Sequence, residues 1–224
     1  MYEIIPSFKE TIFNENTIEV FTDMGEVCVD TLLEEGIVKS IPLLNVVYNL
    51  AQVGLQLRER KFIRHTQAFI EGFNKGELSK EKIRDYCESL DNDSKKAEKE
   101  LGRIIFILDR NIEEEKSKIL GLLFKSYISK KIDWIQFCEL VEVTDKLFIR
   151  DIKILLEFYK NNISYDFNND ENYRFARLSS IGLVTIQKAK DYVENETLVY
   201  NLNQDIKHTS IGEKYCTIIN IISD

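Results

Sequence analysis

Proton transfer and nucleophilic attack draw first on histidine and cysteine, and this chain of 224 residues holds only 2 His and 4 Cys. A Ser/His or Cys/His nucleophile needs its base within hydrogen-bond reach, on a segment shaped to present it. His65 lies in a basic helical stretch, and His208 falls where a hairpin gives way to the last helix. Neither belongs to a nucleophile motif, and a surface or capping role is expected for both. Cys28, Cys87, Cys138 and Cys216 are scattered without a C-x-x-C pair. Zinc needs clustered ligands, so no metal site is expected. Thiols among apolar neighbours, as in Phe137-Cys138 and Tyr215-Cys216, read as free and buried in a reducing compartment.

Phosphate cradles of the G-x-x-x-x-G-K-[ST] or G-x-G-x-x-G type are missing. Carboxylates are abundant, but Glu113-Glu114-Glu115 stand at the start of a helix, where they complement its dipole. Asp91-Asn92-Asp93-Ser94 begins like a calcium loop, yet it lacks the glycine at position six and the glutamate at position twelve. It reads as a helix cap. No catalytic residue, metal or cofactor is expected, and the chain is not read as an enzyme.

The elements that would position any site are mostly helices. The chain has 9 Gly and 2 Pro, so it has few obligatory turns, and long helices suit it better than a many-stranded sandwich. Apolar residues at three- and four-residue steps predict helices over 15–34, from Phe62 to Phe73, from Ile83 to Leu90, from Ala97 to Leu108, from Ile112 to Tyr127 and from Trp134 to Leu147. Ser79, Asp93, Asn111 and Asp133 stand where N-caps belong. Short connections favour antiparallel neighbours in a bundle.

The stretch 40–57 carries no charge. Ser40 can cap and Pro42 suits a first helical turn. The polar residues Asn45, Asn49, Gln52 and Gln56 follow at steps of four, three and four, forming one stripe on an otherwise apolar helix. Such a helix is a central core element, with Val46, Val47 and Leu50 buried, or else a membrane or oligomer-interface element. It is shorter than the ~20 apolar residues of a spanning helix. Arg58, Arg60, Lys61 and Arg64 follow at once. They read as a solvated helical face, and they would also suit anionic headgroups.

Beyond residue 160 the texture changes. A short helix through Tyr173 to Ile181 precedes two β-rich runs, Val184 to Gln187 and Thr197 to Leu202, with a charged turn between them and a final helix from Ser210 to about Ile222. Helix, hairpin, helix is the layout of a winged helix. From Arg150 to Asp224 there are nine basic and eleven acidic residues, and the whole chain carries −8. Arg174, Arg177, Lys188 and Lys190 are the candidate contacts of this unit, but the balance disfavours nucleic acid and favours a protein. The fold is therefore expected to be mainly α: a multi-helix bundle over 1–148 and a C-terminal winged-helix-like unit over 149–224 containing one β-hairpin. The start of the chain lacks the basic-then-apolar layout of a secretory leader, so a bacterial cytoplasmic setting is expected.

Three stretches carry a family resemblance: Ser40-Ile41-Pro42-Leu43 with Arg58-Glu59-Arg60-Lys61-Phe62; Lys116-Ser117-Lys118-Ile119-Leu120-Gly121-Leu122-Leu123-Phe124; and Arg177-Leu178-Ser179-Ser180-Ile181-Gly182-Leu183 with Thr209-Ser210-Ile211-Gly212-Glu213. Over most of the chain beyond residue 40 the organisation resembles bacterial abortive-infection proteins of the Abi-alpha type. The resemblance implies a prophage- or defence-linked role and brings no catalytic residues with it. The expected function is a non-enzymatic protein-interaction component of antiviral defence, acting on a protein partner or a second copy of itself. The rival expectations are a membrane-active effector using helix 42–57 and a DNA-binding regulator using the C-terminal unit.

Overall fold

A computed structural model describes residues 4–23, 41–50, 57–161, 172–188, 192–194, 197–199 and 204–220. The protein is mainly α-helical, and its chain divides into two compact units, Met1–Phe137 and Cys138–Asp224. That division lies earlier than the expected 148/149. It falls inside a helix whose later residue Thr144 is hydrogen-bonded to Tyr215 of the second unit (2.9 Å).

The first unit contains α1 (Ile4–Phe13), α2 (Glu15–Asp23), α3 (Pro42–Leu50), α4 (Leu57–Asn74), α5 (Lys80–Asp91), α6 (Ser94–Arg110) and α7 (Glu114–Ile128), and the start of α8 (Trp134–Lys146). Two calls fall partly or wholly outside the described residues: the remainder of the helix expected over 15–34, with Cys28, and Ser40, Gln52 and Gln56. Asp93 caps α6 by accepting from the Lys96 amide (3.0 Å), and Asp133 caps α8 through the Gln136 amide (2.8 Å). Ser79 precedes α5 without a side-chain cap bond. Asn111 does not cap α7; Glu113 holds that position, and the Asn111 amide is turned inward.

Among the described residues, α7 is buried around most of its circumference, whereas residues 41–50 of the uncharged stretch are buried on one face. Ile119 through Ser126 are all buried. In α3, Leu43, Leu44 and Val47 are buried, Val46 is half-buried, and Tyr48 and Asn49 face outward. It is a one-faced helix, and the Thr11 hydroxyl of α1 accepts its Leu43 amide (3.0 Å), satisfying one of the N–H groups that a helix start leaves unpaired. The side chain of Leu50 lies outside the described residues.

The sequential pair α5 and α6 is antiparallel, as expected of a short link: Tyr86 meets Glu100 and Ser89 meets Lys96. The central pair, α4 and α7, instead runs parallel. Arg64, midway along α4, faces Glu114 at the start of α7, and Lys75 and Gly76 face Lys125 near their ends. The backbones touch at two glycines. A Cβ on Gly72 would lie 2.0 Å from the Lys118 carbonyl oxygen, and one on Gly121 would lie 2.1 Å from the Phe69 oxygen and 2.6 Å from the Phe73 nitrogen. Around this contact the rings of Phe8, Phe69, Phe73, Phe124, Tyr86, Tyr127, Trp134 and Phe137 form a continuous cluster, with successive centroids 4.9–6.2 Å apart.

The second unit contains α9 (Ile149–Asn161), α10 (Asn172–Ser180), β1 (Val184–Lys188), β2 (Tyr192–Glu194), β3 (Thr197–Val199), β4 (Gln204–His208) and α11 (Ser210–Ile219). This is the winged-helix-like order, with a correction to the strand pairing. Val184–Lys188 pairs with Gln204–His208, not with the run beginning at Thr197; the latter pairs with Tyr192–Glu194. Strand therefore reaches His208, beyond the expected end at Leu202, and residues read as turn form β2. Thr209 caps α11 by accepting from the Gly212 amide (3.0 Å) and donates its hydroxyl to the Gly182 carbonyl (2.5 Å).

Two glycine substitutions separate close approach from ordinary helical packing. Gly121→Ala is expected to destabilise the protein by about 3 kcal/mol, because the obstructing atoms are backbone and cannot rotate away. Gly102→Ala should stabilise it by roughly 1 kcal/mol through helix propensity, since the added carbon meets only Ile5 Cδ1 at 3.8 Å. Urea unfolding of both variants measures the contrast, and similar midpoints would refute the contact.

Candidate functional site

The fold brings one serine to a histidine. Ser117, on the first turn of α7, accepts from the Asn111 side-chain amide (2.9 Å) and lies 2.8 Å from His65 Nδ1 on α4. Ser117, His65 and Asn111 are all buried. His65 is thus not a surface or capping residue: it sits on the inner side of the helix whose outer side carries the basic cluster. Burial, and then the nearby charges of Lys61 and Arg64, hold its imidazole below the ordinary pKa. The serine oxygen is enclosed between two core partners. The arrangement has the atoms of a nucleophile–base pair without an approach for a substrate, and it joins α4 to α7 as a polar tie.

Glu100 is another buried group of catalytic type. Its carboxylate accepts from the hydroxyls of Tyr86 (2.7 Å) and Tyr127 (2.9 Å), clamping α5, α6 and α7 together. Burial, followed by the adjoining Glu100 charge, raises Tyr86 far above an ordinary phenol. His208 packs on Phe158, with ring centroids 4.5 Å apart, and burial lowers its pKa. Cys87 and Cys138 are half-buried free thiols, and Cys216 is a buried one that burial pushes up to about 12. Among the described residues no group of three His, Cys, Asp or Glu side chains could hold a metal ion.

The arginines expected to reach outward from the winged-helix-like unit point inward. Asp151, in the first turn of α9, has a fully buried side chain. It accepts from Arg174 (2.9 Å), Arg177 (2.5 Å) and the Phe148 backbone amide (3.0 Å). The last bond is half of a capping box, a carboxylate reaching back to the residue before its helix. Burial pushes the carboxyl up, but the bonds from Arg177, the Phe148 amide and Arg174 outweigh it, and the pKa lies below the ordinary aspartate value. Arg177 also lies over the Phe148 ring at 4.5 Å, and Arg174 over Tyr173 at 4.9 Å. Of the other two candidates, Lys188 stands opposite Gln204 in the β1–β4 ladder, and Lys190 lies outside the described residues.

On α3 and α4, the exposed Asn49 donates to half-buried Asn45 (3.2 Å), so the polar stripe keeps its own company at least this far. The basic cluster is largely solvated, with the Arg58 and Arg64 side chains exposed and Arg60 and Lys61 half-buried. Arg58 makes a bidentate pair with Asp109 (3.0 and 2.6 Å), and Lys61 donates to the Asp109 carbonyl (3.2 Å). Both cations therefore sit at the C-terminal end of α6, where the helix dipole favours them. No helix among the described residues is long and apolar enough to cross a membrane.

Beside the Arg58–Asp109 pair lies a feature that the sequence reading missed: an open groove of about 610 Å³ between α1, α3, α4 and α6. Ile4, Ile5, Val47, Phe62, Ile105 and Phe106 make it apolar; Arg58, Glu59, Glu98 and Asp109 rim it, and Gly102 leaves its wall low. Phe106 is 63% exposed. The signal was legible, since Leu101, Ile104, Ile107 and Leu108 supply the inner face of α6 and Phe106 falls off that face. No family model matches this chain, and no curated protein or solved structure matches it significantly.

Replacing Asp151 by Asn should cost about 3 kcal/mol, the low end for breaking a buried pair, because both arginines keep some water. With its pKa depressed on folding, Asp151 contributes stability that is fully present above the unfolded value of about 3.9 and is lost as pH falls through the folded pKa. The gap between wild type and Asp151→Asn should therefore be constant near neutrality and close in acid. Chemical denaturation across pH measures it, and a gap that widens in acid would contradict the assignment.

Proposed function

We propose that this protein is a non-enzymatic interaction component that binds a protein partner through the groove between α1, α3, α4 and α6. The carrying observation is that groove, apolar within and charged at its rim, with a phenylalanine held in solvent. A large exposed aromatic at the edge of an apolar concavity is the usual signature of a recognition surface. Two further observations support the reading. The Ser117–His65 pair is enclosed in the core, and Arg174 and Arg177 are committed to Asp151, which leaves the winged-helix-like unit short of cations for a phosphate backbone. The biological setting rests on the Abi-alpha-like organisation of the sequence: bacterial or phage antiviral defence, in the cytoplasm.

Phage plaquing on a bacterial host expressing the chain tests both parts. Wild type is expected to reduce plaquing. Phe106→Asp should abolish protection at unchanged melting temperature, because the exposed ring contributes little to the fold. Ser117→Ala should retain protection wherever the protein stays folded. Full protection by Phe106→Asp would remove the groove from the function; loss of protection in a folded Ser117→Ala would point to a catalytic serine.

A further inference from the structure

We infer that His208 is an acid-sensitive latch of the winged-helix-like unit: protonation expels its ring from α9 and loosens the junction between β4 and α11. The inference is independent of the groove and concerns the other compact unit of the chain.

The placement of the ring carries it. His208 is the last residue of β4 and stands opposite Val184 of β1 in the ladder. Its ring lies against buried Phe158 of α9, with centroids 4.5 Å apart at 32°, and meets Tyr159 edge-on at 5.6 Å and 85°. Both ring nitrogens are shut off from solvent, and neither has a hydrogen-bond partner among the described residues. A desolvated nitrogen without a partner already costs free energy, and an unpaired imidazolium there costs far more. His65, the other histidine, differs in this respect, since Ser117 lies 2.8 Å from its Nδ1.

The elements around the ring do little to hold a proton on it. From α9 comes the Tyr159 phenol, which is bonded to the Thr217 hydroxyl at 3.1 Å, and from β1 comes the apolar Val184. Lys207, the neighbour within β4, is exposed on the opposite face of the strand. The exposed Glu213 carboxylate of α11 favours the charged ring, but burial outweighs it and the imidazole stays below its ordinary pKa.

The next residue transmits the movement. The Thr209 amide donates to the Leu183 carbonyl (3.1 Å), while the Thr209 hydroxyl accepts from the Gly212 amide and reaches the Gly182 carbonyl. An imidazolium that turns out to water draws the end of β4 from α9, and the start of α11 opens with it. The open form binds the proton at the ordinary histidine pKa of about 6.5, and the closed form binds it more weakly. The latch is therefore fully stable above about pH 6.5 and weakens as pH falls through that value. Asp151, in the same unit, acts only below its unfolded pKa of about 3.9, so the two effects fall in separate windows.

Amide hydrogen exchange of the full-length protein tests this at about pH 7.5 and about pH 5.5, either side of the ordinary histidine value. Rates are corrected for their intrinsic pH dependence, and wild type is compared with His208→Phe and His208→Gln. Phenylalanine keeps the ring packing and glutamine keeps a neutral polar group; neither takes up a proton. Protection of the Thr209 and Gly212 amides should fall roughly five- to tenfold in wild type on acidification, tenfold being about the limit for one imidazole over this interval. In whichever variant folds, the fall should be less than about twofold. A second readout needs no variant. The ring C–H resonance of His208, identified by its proximity to the Phe158 and Tyr159 rings, should titrate below about 6.5. Titration at or above that value, unchanged protection in wild type, or an equal loss in a folded variant would overturn the inference.

Discussion

The first unit depends on two parallel helices pressed backbone to backbone. Gly72 and Gly121 let α4 and α7 approach until carbonyl oxygens occupy the space where a Cβ would stand. Parallel alignment places the two negative ends near each other, an arrangement the helix dipoles oppose. The neighbouring side chains answer this. Lys125 is buried and donates to the carbonyls of Lys75 and Gly76 at the end of α4, and Lys82 donates to the Ser129 carbonyl at the end of α7 (2.8 Å). At the opposite ends Glu114 and Glu115 occupy the first turn of α7. Burial lowers the pKa of Lys125, yet carbonyls at a negative helix end are what make a buried ammonium tolerable.

The same economy governs the polar groups elsewhere. Ser117, His65 and Asn111 satisfy one another in the core, Tyr86 and Tyr127 satisfy Glu100, and Arg174 and Arg177 satisfy Asp151. Groups that look chemically capable in the sequence are thus occupied in holding helices together. Among the described residues, the large apolar side chains left outward include Phe106 beside the groove, together with Leu57, Ile112 and Ile135.

Helices, caps at Asp93 and Asp133, and the winged-helix-like order were legible because they follow from local periodicity and short-range hydrogen bonding. The central position of α7 was not. Its Lys116, Lys118 and Lys125 suggest a solvated face, and only the tertiary structure shows Lys125 buried on backbone carbonyls and Lys118 paired with Glu71. The uncharged stretch misled in the opposite way: α3 is apolar in composition but turns Tyr48 to solvent beside Asn49 of its polar stripe. Strand pairing failed because Thr197-Leu198-Val199 and Gln204–His208 compete for β1, and β-propensity favours the former. The actual pairing is fixed by Thr209, which ties the end of β4 to Gly182 just ahead of β1. The arginines were read as outward because their partner Asp151 lies on the preceding helix, beyond any local pattern.

The parallel course of α4 and α7 also orders events in time. Parallel neighbours cannot be joined by a tight turn, so the whole of α5 and α6 lies between the two glycines. Bringing them together from an extended chain closes a long loop before any packing compensates, which slows collapse. Once α5 and α6 have paired through Tyr86–Glu100 and Ser89–Lys96, the intervening segment is folded back on itself and the ends of that loop are already near one another. The contacts of the α5–α6 hairpin are thus local in sequence, and the glycine contact is the long-range one that depends on them for a shortened loop.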